Sequence, residues 1–157
     1  KTSFRIMRIS IRNLSSIYKL GNKEFSGQLW YTKRFLEETL IHPGCHYGAF
    51  IGNKLIGFVL SKKFDRPKIW LMCLVVDEPF RNQGIATKLI DTIRYEIVSS
   101  DTEDFFIMFV DTDLKTAPFY EKIGFDYQAT IKHWYDYNKS GMIYSKIIKW
   151  EGDFIIS

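Results

Sequence analysis

Two stretches of this 157-residue chain place groups at spacings that can do chemistry. The first is Arg81-Asn82-Gln83-Gly84-Ile85-Ala86, which follows the apolar run Ile69–Val76. It opens a segment in which Ile85, Leu89, Ile93 and Ile97 recur every four residues. A loop with small residues at 84 and 86, opening a helix, leaves backbone N–H groups without acceptors. Together with the helix dipole they form a pocket for a phosphate. Gly84 removes a Cβ where the anion must approach the backbone, Ala86 keeps the next turn small, and Arg81 can add a charge-assisted contact. The loop lacks the Lys-Ser/Thr ending of a nucleoside-triphosphate loop and the Gly-x-Gly start of a dinucleotide loop. The second stretch is Ala117–Phe125, in which Tyr120 lies 36 residues after Gly84. A phenol, with a reference pKa of about 10, stays protonated at neutral pH and can still hand its proton to a departing thiolate of pKa about 8.5. Tyr120 also reads as a packed core aromatic; spacing alone leaves both readings open.

The elements that must position these groups follow from periodicity. Phe4–Ile9 alternates and predicts a strand. Residues 14–20 predict a short helix ended by Gly21-Asn22, and Ser26 an N-cap for a helix to about Leu40, stopped by His42-Pro43-Gly44. His46–Ile51 and Leu55–Lys62 predict strands joined by a Gly52-Asn53 hairpin turn. Ile69–Val76 is wholly apolar, which predicts a strand buried on both faces. A helix over about 84–99 with its isoleucine-leucine stripe toward a sheet, a buried strand at Phe105–Val110, and a short helix over about Ala117–Ile123 come next. Gly124 is the expected left-handed terminator of that helix. Phe125–Ile131 and Met142–Ile148 are the last strands, around a loop His133–Gly141. The fold class is therefore α/β (α+β): one mixed, mostly antiparallel sheet of six to seven strands with helices on both faces, in which only the unit 69–110 needs to be parallel. Length fits a single domain over residues 1–157.

Composition narrows the classes. Apolar residues make up 46%, enough for a sizeable core, and the net charge of +4 has no Lys/Arg block behind it. That balance suits an anionic cofactor and excludes a nucleic-acid partner as the main expectation. The longest apolar run is too short to span a membrane and no signal peptide is read, so a reducing, cytoplasmic setting is expected. Cys45 and Cys73 do not form a disulfide framework. His42 and His46 are four apart, but Pro43 and Gly44 prevent the helix a metal pair would use, so no metal is expected.

Residues 69–97 and 117–125 resemble the GNAT superfamily of acyl-CoA N-acyltransferases. Arg-x-x-Gly-x-Ala matches that family's pyrophosphate loop, and Ala-Pro-Phe-Tyr-Glu-Lys-x-Gly-Phe its second motif. The resemblance implies acetyl-CoA as co-substrate, lying in a gap between the strands carrying 69–76 and 105–110. Leu74, Val75 and Val76 would line it, with the Leu74 amide toward the thioester and the Val76 amide toward the pantetheine. Arg81, Asn82, Gln83, Gly84, Ile85, Ala86 and Thr87 would hold the pyrophosphate. A neutral amine would attack directly, backbone donors would stabilise the oxyanion, and Tyr120 would protonate the thiolate. The family often has Asn seven residues before this tyrosine; here it is Asp113, which can cap the helix or touch the cofactor, with Thr116 beside it.

Leu20–Leu40 and His133–Tyr137 further resemble the subgroup that acetylates protein N-termini, the ribosomal-protein alanine type among them. That likeness implies a substrate grip by Trp134-Tyr135 in the loop between the last strands, and by Glu24 and Phe25 in a loop between the first helices, with Glu24 also a candidate base. The usual base position holds Met108, which takes no proton; Glu24, His133 or a water would replace it. An α-amino group needs the least help, since its pKa near 8 leaves roughly a tenth neutral at pH 7. The expected acceptor is thus a protein or peptide N-terminus; the alternative is a small amine such as a polyamine, amino acid or antibiotic. The expected assembly is a monomer or homodimer.

Overall fold

The computed structural model describes residues 3–65, 67–100 and 105–149. A seven-stranded sheet runs through it: β1 (Arg5–Arg8), β2 (Tyr47–Ile51), β3 (Lys54–Lys63), β4 (Lys68–Val76), β5 (Phe105–Thr112), β6 (Asp126–Asp136) and β7 (Lys139–Lys149). The spatial order is β1-β2-β3-β4-β5-β7-β6. Every neighbouring pair is antiparallel except β4 and β5, the pair joined by the long helix, as the sequence predicts. The helices are α1 (Leu14–Phe25), α2 (Lys33–Ile41), α3 (Ile85–Ser100) and α4 (Ala117–Lys122). Two cores flank the sheet. Ile85, Leu89, Ile93 and Ile97 of α3 and Ala117 and Tyr120 of α4 pack with Ile69, Leu71, Phe106 and Val110; Ile17, Leu20, Leu36 and Leu40 of α1 and α2 pack with Phe58, Leu60, Cys73 and Val75. No helix among the described residues is long and apolar enough to cross a membrane.

Strand β4 explains how one strand serves both cores. Leu60 pairs with Cys73 but Ser61 pairs with Leu71, so Met72 is an extra residue, a β-bulge. Side chains alternate along a strand, and one inserted residue reverses which face the alternation serves. Ile69 and Leu71 therefore meet α3, whereas Cys73 and Val75 meet α1 and α2. The other residues, Trp70, Met72, Leu74 and Val76, are only half-buried. The expectation of equal burial on both faces is thus corrected: the apolar run borders an open cleft.

The helix boundaries near the N-terminus also differ from expectation. α1 runs through Gly21-Asn22 to Phe25, because Gly21 is buried and needed for space. A Cβ there would lie 2.0 Å from the Tyr31 hydroxyl. That hydroxyl donates to the carbonyls of Ile17 (3.2 Å) and Tyr18 (3.0 Å). Ser26 follows the end of α1, and the true N-cap of α2 is Thr32, whose hydroxyl accepts from the Phe35 amide at 3.0 Å. Gly21→Ala should gain ~1 kcal/mol of helix propensity but displace Tyr31 from two buried carbonyls. A net loss of about 1–2 kcal/mol is expected. A denaturation midpoint equal to that of the wild type would show that Tyr31 swings aside without cost.

The last two strands are longer than predicted. Asp136 pairs with Lys139 across a two-residue turn, with an irregularity between Ile131 and Asp136 where His133 takes φ 62°. Trp134 and Tyr135 therefore stand on β6, not in a loop. Gly141 of β7 makes room for Trp134 there, since a Cβ on it would lie 2.4 Å from the Trp134 ring.

Candidate active site

The pairing of β4 with β5 stops at Leu71 opposite Val110. Beyond it, β4 stays with β3 as far as Val76, and β5 stays with β7 through Thr112. The two strands part as a wedge whose outer edges are held. The Asp77 amide donates to the Ile56 carbonyl of β3 at 2.8 Å. Backbone groups alternate along a strand, so the amides of Val75 and Cys73 face β3 and those of Leu74 and Val76 face the wedge. The Val76 carbonyl agrees, since it accepts from Arg81 Nε at 2.9 Å on that side. Val75 is corrected here: its amide serves β3 and its side chain lies in the α1–α2 core.

The wedge leads to the N-terminus of α3. Asn82 and Gly84 both adopt positive φ (63° and 81°), which turns successive amides inward; Asn and Gly are the residues that tolerate this best. The Lys88 amide donates to the Gly84 carbonyl at 3.0 Å, the first helical bond of α3, so the amides of Ile85, Ala86 and Thr87 lack intrahelical acceptors. No acidic residue sits in that first turn to compete for them. A Cβ built on Gly84 meets nothing within 4 Å. The hollow is open, and its unpaired amides are of the kind that accept an anion. Arg81 departs from expectation, for its guanidinium is engaged by the Val76 carbonyl and by Glu24 (3.1 Å).

Tyr120 stands on the wedge's wall with Cys73, Leu74, Thr112 and Asp113. Its ring is buried edge-on against Phe125, centroids 5.5 Å apart, so the packed-aromatic reading holds for the ring. The hydroxyl meets no hydrogen-bond partner among the described residues and lines the cleft. Burial, then the Asp111 carboxylate, pushes its ionisation well above that of a free phenol. The N-cap position of α4 is Thr116, whose side chain makes no cap bond; Asp113 Oδ1 closes the turn before it by accepting from the Thr116 amide at 3.0 Å. Gly124 ends the helix at φ 97° as expected.

Past Tyr120 the cleft, about 470 Å³, opens between aromatic walls. Phe25 packs on Trp30 (4.8 Å), Trp30 lies 6.4 Å from Tyr135, and Trp70 stacks on Phe109 (5.3 Å) and on Trp134 (6.4 Å). Glu24 and Phe25 line it from the last turn of α1, not from a loop. The structure thus gathers Glu24, Phe25, Trp134 and Tyr135 in one place. It sets His133 apart: its Nδ1 lies 2.5 Å from the Tyr137 carbonyl within the hairpin, and the residue is exposed. Met108 is core. Sequence reasoning missed Asp111, whose oxygens accept from Trp70 Nε1 (2.8 Å) and Tyr135 Oη (2.7 Å). The signal was available: a carboxylate directly after the apolar strand Phe105–Val110.

The sequence profile of the Acetyltransferase (GNAT) family matches residues 11–125, which covers the wedge, the anion hollow and α4. The chain belongs to this family. It is 27% identical over 126 residues to N-alpha-acetyltransferase 30 of Xenopus laevis, an alignment covering 76% of this chain and 41% of that protein; the chain thus spans about two fifths of that relative's length. Among solved structures, the ribosomal-protein-S18-alanine N-acetyltransferase from Escherichia coli superposes with a TM-score of 0.78 at 13% identity, over 94% of this chain and 95% of that one. An aminoglycoside 6'-N-acetyltransferase complexed with coenzyme A superposes with a TM-score of 0.74 at 18% identity, over 92% and 97%. These likenesses show the fold that the resemblance implied.

Proposed function

We propose that this GNAT chain moves the acetyl group of acetyl-CoA to a primary amine, and that the acceptor is the N-terminal α-amino group of a peptide. The observation that supports this best is the parting of β4 from β5, which leaves two amides turned into the wedge, with Tyr120 and the aromatic cleft along it and the open hollow at the start of α3 after the strand end. Acetyl-CoA supplies the activated acyl carbon. The amides of Leu74 and Val76 orient its arm, and those of Ile85 to Thr87 neutralise its diphosphate. Nitrogen–carbon bond formation is matched by carbon–sulfur cleavage, and Tyr120 gives its proton to the leaving sulfur. The nitrogen's surplus proton goes to solvent, and solvent returns a proton to the Tyr120 phenolate. Much of the acceleration comes from holding both reactants in line.

The peptide reading rests on the relative named for N-alpha acetylation and on the Trp134–Tyr135 pair facing Glu24 and Phe25 across the cleft. The fold alone serves small amines equally, as the aminoglycoside enzyme shows. Incubation with acetyl-CoA and a peptide library beside polyamines, amino acids and aminoglycosides separates the two, with products read by mass spectrometry. N-terminally acetylated peptides are expected; acetylation of small amines alone rejects the peptide acceptor. Turnover on peptides should rise with pH toward the α-amine pKa, near 8.

A further inference from the structure

Three carboxylates line the cleft: Glu24, Asp111 and Asp113. Glu24 is paired with Arg81 at 3.1 Å, and Asp113 lies 3.8 Å from Lys139. Asp111 has no cationic partner among the described residues. Its two hydrogen bonds come from neutral donors, the Trp70 indole and the Tyr135 phenol. Lys62 lines the same cleft, yet no ion pair ties it to Asp111. A half-buried carboxylate fixed in place by two neutral donors can take a cation that arrives with a ligand. Each Asp111 oxygen keeps a free lone pair, since a carboxylate accepts about four hydrogen bonds and two are used. Trp70, Trp134 and Tyr135 line the cleft around it, and Lys139 Nζ already lies 5.5 Å from the centroid of the Tyr135 ring, an aromatic position that a cation occupies.

We infer that Asp111 is a specificity-determining residue that binds a second positive charge on the acceptor, separate from the amine that is acetylated. The reacting nitrogen must be neutral to attack, so the group that Asp111 holds as a cation is not that nitrogen. The acceptor class is therefore a dication before reaction: a peptide with a lysine or arginine at or beside its N-terminus, or its small-molecule counterpart, a diamine. This deepens the acetyl-transfer reading and rests on the aromatic cleft being the acceptor site.

The test uses matched peptides carrying lysine or uncharged norleucine at the first or second position, with a diamine and a monoamine of equal length alongside. Wild-type protein should favour the charged member of each pair by roughly tenfold in kcat/KM, the effect of one charge-assisted contact. Asp111→Asn, which keeps an acceptor for Trp70 and can donate to Tyr135, should bring that ratio close to one, and Asp111→Glu should restore part of it. The same ratio is read in equilibrium binding of the peptides to coenzyme A-saturated protein. Absent turnover would then count against acetyl transfer, while the binding ratio still decides the role of Asp111. A wild-type ratio of one overturns the inference, and so does a tenfold ratio that survives in Asp111→Asn.

Discussion

Replacing Gly84 with glutamate should remove detectable coenzyme A binding. Gly84 sits at φ 81°, where a side chain costs about 1–2 kcal/mol, and the space beyond its Cα is empty for at least 4 Å. A carboxylate placed there would fill the hollow lined by the first amides of α3 and satisfy them with its own negative charge. The diphosphate would then meet both bulk and like charge. Gly84→Ala is the control. Its methyl group meets nothing, so it carries the strain of the left-handed backbone alone and should weaken binding by about tenfold, the equivalent of ~1.4 kcal/mol. Calorimetric titration of acetyl-CoA reads both variants. Glutamate at 84 with wild-type affinity would refute the assignment of this loop to the diphosphate.

Tyr120→Phe should lower kcat by about 100-fold while leaving coenzyme A affinity within a few-fold of wild type, the scale of losing one general acid. The ring's edge contact with Phe125 survives the substitution, so the fold should be kept. The pH profile carries independent information. Burial first, and then the Asp111 carboxylate, disfavours the phenolate, so ionisation of Tyr120 moves up. The sign follows: the phenol remains protonated below that raised value and is lost as an acid only when pH climbs through it. Wild-type kcat should therefore show no alkaline fall between pH 8 and 10. A fall near pH 10 that disappears in Tyr120→Phe would mean that the phenol ionises like a free one. Equal kcat in the two proteins would mean that water protonates the sulfur.

The long, strongly periodic segments were readable from the chain alone. The apolar run at 69–76, the four-residue stripe of α3 and the buried strand at 105–110 together demand a parallel strand–helix–strand unit. Its connection delivers Gly84 to the strand end. The positive φ of Gly84 there is a fact of the structure. Gly21 misled. Its lack of a side chain looked like a helix stop, yet it serves close packing against Tyr31, a partner ten residues away that only the tertiary arrangement reveals. Ser26 misled in the same way: a good capping residue stood at the end of one helix, and Thr32 capped the next.

Cofactor chemistry and acceptor chemistry therefore divide. Motif order and spacing pointed to the family and the sheet, since those depend on backbone conformation, which short runs of residues encode. The aromatic cleft depends on side chains from separate places in the chain, among them the end of α1 and the turn after it, β4, β5 and β6. One inserted residue at Met72 decides which face of β4 each side chain serves, and an irregularity near His133 decides where Trp134 and Tyr135 point. Such shifts of register cost little and leave hydropathy unchanged, so no pattern in the chain announces them. Only the folded sheet brings Trp70, Asp111 and Tyr135 within hydrogen-bonding distance.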